Sequence, residues 1–208
     1  MRATAEPARE VPGDQAKLRR RGIRLEYFTV AWNTLEALVA LVAGWLASSI
    51  ALEGFGLDSV IETVSGLTLL WRLRHSRPAG EEDHAELRAV RVVGVTFFAL
   101  AAYVGYEAGA DLWFRRAPQF SLPGTILAAL SLVVMPVLAL AKRRVARQLK
   151  SRALAADSLE SLLCSYLSAT LLLGLALNGW LGWWWADPIA ALAMAGFMLH
   201  EGFEALSS

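Results

Sequence analysis

Leu57-Asp58-Ser59-Val60-Ile61-Glu62 lies inside one strongly apolar stretch, and Leu159-Glu160-Ser161-Leu162-Leu163-Cys164 lies inside another. Both run Leu, acid, Ser, two aliphatic residues, then a side chain able to bind a metal. Asp58 and Glu62 are four residues apart, as are Glu160 and Cys164. On a helix that spacing stacks two side chains on one face, a turn apart. Carboxylates deep in a membrane helix are costly and mark an ion or proton pathway by default. The rest of the chain reads as the scaffold that sets these two pairs opposite each other.

Outward from the pairs, 56% of the 208 residues are hydrophobic and the net charge is only +1. The charges collect in short blocks between long apolar runs, which is the pattern of a polytopic membrane protein. Six spans are expected, at about 23–46, 50–73, 89–112, 122–141, 153–178 and 186–205. Each is long enough to cross a ~30 Å hydrocarbon core at ~1.5 Å per residue. The expected fold is therefore all-α, a six-helix transmembrane bundle over residues 23–208, after a disordered basic leader over residues 1–22. The leader is polar and the first apolar run is too long for a signal peptide. The single cysteine excludes an internal disulfide.

Lys and Arg set the orientation. Seven lie in the leader and the start of the first span, five around the second–third connection and six between the fourth and fifth spans. The opposite loops hold only Arg115 and Arg116. Both termini are therefore expected in the cytoplasm, with the protein in the plasma (inner) membrane. The basic residues flank spans, where orientation accounts for them, so nucleic acid is not an expected partner. Trp45, Trp113, Trp180 and Trp183-Trp184-Trp185 fall at outer ends and Trp71 at an inner end, as interfacial belts do. Glu81-Glu82-Asp83-His84 reads as a solvated loop, with a weak cation-collecting patch as the alternative.

Three spans carry polar stripes. Glu26, Asn33 and Glu36 share a face of the first, Asp58, Glu62 and Ser65 of the second, and Asp157, Glu160, Cys164 and Ser168 of the fifth. Counted by helical rise, Glu36, Asn33, Asp58, Glu62 and Cys164 fall in one layer near mid-membrane, with Glu160 a turn below. Glu26 and Asp157 lie nearer the cytoplasmic mouth, at an entrance. Two carboxylates and a thiolate suit a divalent cation, and the sulfur tilts the choice towards zinc. Like charges crowded at one depth cannot all stay ionised, so an empty site holds protons that metal binding releases. The competing readings are interhelical hydrogen bonding for the acids and a small buried hydrophobe for Cys164. Glu107 and Asp111 are candidates for an exit vestibule, and His200 and Glu201 read as interfacial. The two signatures are three spans apart and run in opposite directions, as in transporters built from inverted repeats.

At these residues the chain resembles the cation diffusion facilitator family. Ser49-Ile50-Ala51-Leu52 through Glu62 is similar to its second-helix motif, and Ala153 through Ser161 to its fifth-helix motif. Asp187-Pro188-Ile189-Ala190-Ala191-Leu192 is similar to the opening of its sixth helix. The resemblance implies metal ligands at Asp58, Glu62, Glu160 and Cys164, with Glu and Cys standing where the family usually has histidine and aspartate. It also implies a homodimer that exchanges metal for protons. The chain ends at Ser208, after the sixth span, so the similarity is to a minimal six-span branch lacking the cytoplasmic C-terminal domain. Any dimer is then expected within the membrane, where Gly94, Ala101, Gly105 and Gly109 allow close helix contact between copies or within one.

The expected function is efflux of a divalent cation, zinc first, against protons. The metal is cargo and no resident cofactor or enzymatic activity is expected. Two other readings use the same residues: a non-transporting metal-binding or regulatory membrane module, and a proton-coupled carrier of small organic cations.

Overall fold

The computed structural model describes residues 12–74, 84–116 and 119–207. Among them are six helices: α1 Pro12–Ala47, α2 Ile50–Arg74, α3 His84–Phe114, α4 Leu122–Leu149, α5 Arg152–Leu181 and α6 Ala186–Ser207. Residues 1–11 of the expected leader, and Glu81-Glu82-Asp83, lie outside the described residues.

Two hairpins are built alike. α1 turns into α2 through Ser48, in a left-handed conformation at φ 51°, and Ser49, whose hydroxyl accepts from the Leu52 amide at 3.3 Å. α4 turns into α5 through Lys150, at φ 53°, and Ser151, whose hydroxyl accepts from the Leu154 amide at 3.3 Å. A left-handed residue closes one helix and a serine N-cap opens the next. The hairpins pack side by side, α1 on α4 and α2 on α5. α3 and α6 form a third pair, which docks on α2 and α5. α2 and α5 are therefore the central helices.

Large apolar side chains face outward. On α4, Leu122, Ile126, Leu130, Val133, Val137 and Leu140 form an exposed stripe, while Ser131 and Lys142 are buried. Trp45, Trp113 and Trp180, towards the C-terminal ends of α1, α3 and α5, are among the most exposed side chains. Polar groups inside and apolar groups outside is the distribution expected when lipid is the solvent. By length and composition, Gln15–Ala47, Leu122–Leu149 and Asp157–Leu181 qualify as membrane spans among the described residues, with a shorter apolar run at Ala186–His200. The chain is an all-α integral membrane bundle.

The leader departs from expectation. Residues 12–22, expected to be disordered, continue α1 without a break. Pro12 suits a first helical position. Arg19 explains the rest: its guanidinium donates to the carbonyls of Leu73 at 2.7 Å and Arg74 at 2.9 Å, closing the C-terminus of α2. Arg74 in turn sits 5.0 Å from the Tyr27 ring centre. The polar leader residues thus supply a cap that the end of α2 needs.

Close approach of α1 and α2 depends on two glycines. A Cβ on Gly44 would lie 2.9 Å from the Glu53 amide nitrogen, and one on Gly56 would lie 3.0 Å from that of Leu41. Gly105 and Gly109 differ: among the described residues, nothing lies within 4 Å of a Cβ placed there.

Candidate metal centre

The inner face of α1 is polar along its length. Glu26, Thr29, Asn33 and Glu36 recur at three- and four-residue spacing, and all are buried. α2 turns Asp58 and Glu62 towards the same interior, and α5 brings Cys164. One ligand atom from each of Asp58, Glu62 and Cys164 lies within 4.8 Å of the other two. All three side chains are buried. Asn33 donates through Nδ2 to Glu62 Oε2 at 2.8 Å, which fixes that carboxylate's orientation. Ser168 donates to the Cys164 carbonyl at 2.8 Å, which anchors the backbone beside the thiol without using the sulfur.

The centre opens into a cavity of about 20 Å³, room for one water-sized particle. Phe97 on α3 and Phe197 and Met198 on α6 wall it, opposite Asp58, Glu62 and Cys164. The α3–α6 pair thus covers a centre that α2 and α5 build.

Glu160 lines the same cavity but is not one of the three clustered donors. The Ser65 hydroxyl donates to its Oε2 at 3.1 Å, and the side chain is half-buried. Glu36 is fully buried, with the polar groups of Trp32 and Ser59 beside its carboxylate. Glu26 and Asp157, expected at an entrance, are instead buried away from the three donors and share a partner.

That partner is Lys142, which sequence reasoning counted as a loop charge beyond the fourth span. Its side chain is fully buried. The ammonium is paired with Asp157 Oδ2, lies 3.4 Å from Glu26 Oε1 and donates to Ser161 Oγ at 3.2 Å. A signal was present: Lys142 continues the buried helical face of Ser131, Met135 and Leu138. Asp187, which the sequence marks only through the sixth-helix resemblance, has a structural role as well. It accepts from the Ser49 hydroxyl and, at 3.4 Å, from the Ala51 amide, so α6 holds the N-terminus of α2.

A membrane-embedded bundle with two acids and a thiol converging between its central helices defines a class, a helical membrane protein with a buried cluster of side chains able to hold a cation. Residues 27–208 match the cation efflux transmembrane domain, and the chain belongs to that family. It is similar to transmembrane protein 163 of Xenopus laevis, 26% identical over 162 residues, covering 78% of this chain and 57% of that one. It is also similar to the cation-efflux pump FieF of Klebsiella pneumoniae, 27% identical over 181 residues, covering 82% and 60%. The corresponding pump of Escherichia fergusonii is 27% identical over 190 residues, covering 86% and 62%. The chain spans about three fifths of the length of these curated relatives.

Proposed function

We propose that this chain is a divalent cation efflux carrier, with zinc as its first cargo and protons as the exchanged ion. The observation that carries this is the buried meeting of Asp58, Glu62 and Cys164 from α2 and α5. Two oxygens and a sulfur at that separation leave room for one ion between them, and the thiolate favours a borderline-soft metal over magnesium or calcium. Asn33 is the outer partner that orients Glu62. Glu160, in the same cavity and held by Ser65, is a ligand the metal meets as it moves along α5. The FieF pumps are named for cation efflux, which supports the direction. The charge distribution supports cytoplasmic termini in an inner membrane. The open outer face at Gly105 and Gly109 supports a homodimer formed within the bilayer.

The test is zinc movement in vesicles containing the purified chain. Wild type should carry zinc down its gradient, and Asp58→Ala should not, although it inserts normally. Transport by Asp58→Ala at the wild-type rate would sink the assignment. Glu62→Gln beside it, metal by metal, reports the cargo.

A further inference from the structure

The cluster around Lys142 lies apart from the metal centre. Three helices build it: Glu26 from α1, Lys142 from α4, and Asp157 with Ser161 from α5. It sits towards the end of the bundle that carries both termini. Asp157 is seven residues from Cys164 along α5, so the cluster lies roughly 10 Å from the thiol along the helix axis. Beyond it, towards that end, Leu69, Val145, Ala146 and Leu154 form an apolar cluster with Leu25, Leu73 and Leu149 packed against it. The ionic cluster thus lies between that apolar layer and the metal centre, and its most accessible member is Asp157, whose side chain is 8% exposed.

Its charges do not balance. Two carboxylates meet one ammonium, which leaves one negative charge in excess if both are ionised. An uncompensated carboxylate is not tolerated in so dry a place. Asp157 has the ammonium at the shorter distance. Glu26 has it only at Oε1, and its fully buried Oε2 meets no hydrogen-bond donor. That oxygen faces α2 where the side chain is missing: a Cβ on Gly66 would lie 3.7 Å from it. The groups that face Glu26 are thus Lys142 from α4, Asp157 from α5 and the bare backbone at Gly66 from α2. One turn along α2 from Gly66 stands Glu62, whose charge also reaches Lys142.

We infer that Glu26 binds the exchanged proton, at a site separate from the metal ligands. With the cargo absent, a proton on Glu26 cancels the excess charge. A divalent cation arriving at Asp58 and Glu62 adds positive charge that both Lys142 and Glu26 feel at low dielectric. The ionised form of Glu26 is then favoured, and its proton passes to water. Lys142 stays charged throughout and links the two sites electrostatically. This rests on the carrier reading above.

The experiment uses the full chain in vesicles with a lumenal pH dye, with zinc-for-zinc exchange measured alongside. Wild type should shift lumenal pH as zinc moves. Glu26→Gln, a mimic of the protonated carboxyl, should keep zinc-for-zinc exchange and give a smaller pH shift per zinc moved. Glu26→Asp should restore part of it. In detergent, protons released per zinc bound should fall by about one in Glu26→Gln. A pH shift per zinc unchanged in Glu26→Gln overturns the inference and leaves the carrier reading standing. No zinc movement or pH shift in wild type overturns the carrier reading itself. If Glu26→Gln fails to insert, Lys142→Met carries the test. Without the ammonium, the two acids hold their shared proton more tightly, so zinc-triggered release should persist to higher pH. An unchanged pH profile overturns the inference.

Discussion

Under the proposed function, Cys164 decides the cargo more than any other single residue. It is the soft donor in a set whose other members are carboxylates. Cys164→Ser keeps the volume and replaces sulfur with a harder oxygen. Binding of cadmium and zinc should weaken more than binding of manganese, as titration calorimetry of the purified chain would show. Equal weakening for all three would mean that the sulfur is not a ligand. Asn33 acts at one remove. Asn33→Leu removes the 2.8 Å hydrogen bond to Glu62 while leaving every donor in place. A fall of about tenfold to a hundredfold in zinc affinity is expected. The pairs at 58/62 and 160/164 were legible because helical spacing alone sets which side chains share a face. The difference between Cys164 and Glu160 was not, because it depends on Ser65, a residue 95 positions away, whose hydroxyl holds Glu160.

The helices carry a repeat longer than the paired ligands. Ser49 and Ser151 are both N-caps, and both are followed by Ala-Leu two positions on. Asp58 and Glu160 each come nine residues after their cap, and Glu62 and Cys164 each come thirteen after it. A cap fixes the phase of the helix that follows, so equal offsets aim the two pairs in equivalent directions. The shared phase is visible in the sequence only once the caps are known. The same holds for residues 12–22, whose helical fate depends on carbonyls at the far end of α2. Between α1 and α2 the tight point is Gly44. Gly44→Ala places a methyl 2.9 Å from a backbone nitrogen that has nowhere to go. A destabilisation of about 1–3 kcal/mol is expected, read as a lower melting temperature in detergent. Gly196→Ala on α6 is the control, since its Cβ meets nothing within 4 Å and it should melt no lower than wild type.

For the whole molecule, the solvent is the issue. Val137 is 63% exposed in the middle of an apolar stripe on α4. On a water-soluble protein, Val137→Lys would be harmless. In a bilayer it should cost about 2.5–3.5 kcal/mol of insertion free energy, visible as loss of the chain from washed membranes. Full retention there would contradict the membrane reading of the outer face. This level was the most legible, because the alternation of apolar runs and charge blocks needs no tertiary information. The arrangement of α3 and α6 as a separate pair over the centre was not legible, since it rests on contacts such as Tyr103 on α3 to Glu53 on α2, 50 positions away, which spacing along one helix does not reveal.

The chain holds one sulfhydryl, and folding has put it beside Asp58 and Glu62, shielded from water. A shielded thiol does not react with a maleimide dye until the bundle parts. The native chain is thus its own single-label probe: its tagging rate counts how often the chamber opens, and bound cargo should silence the count.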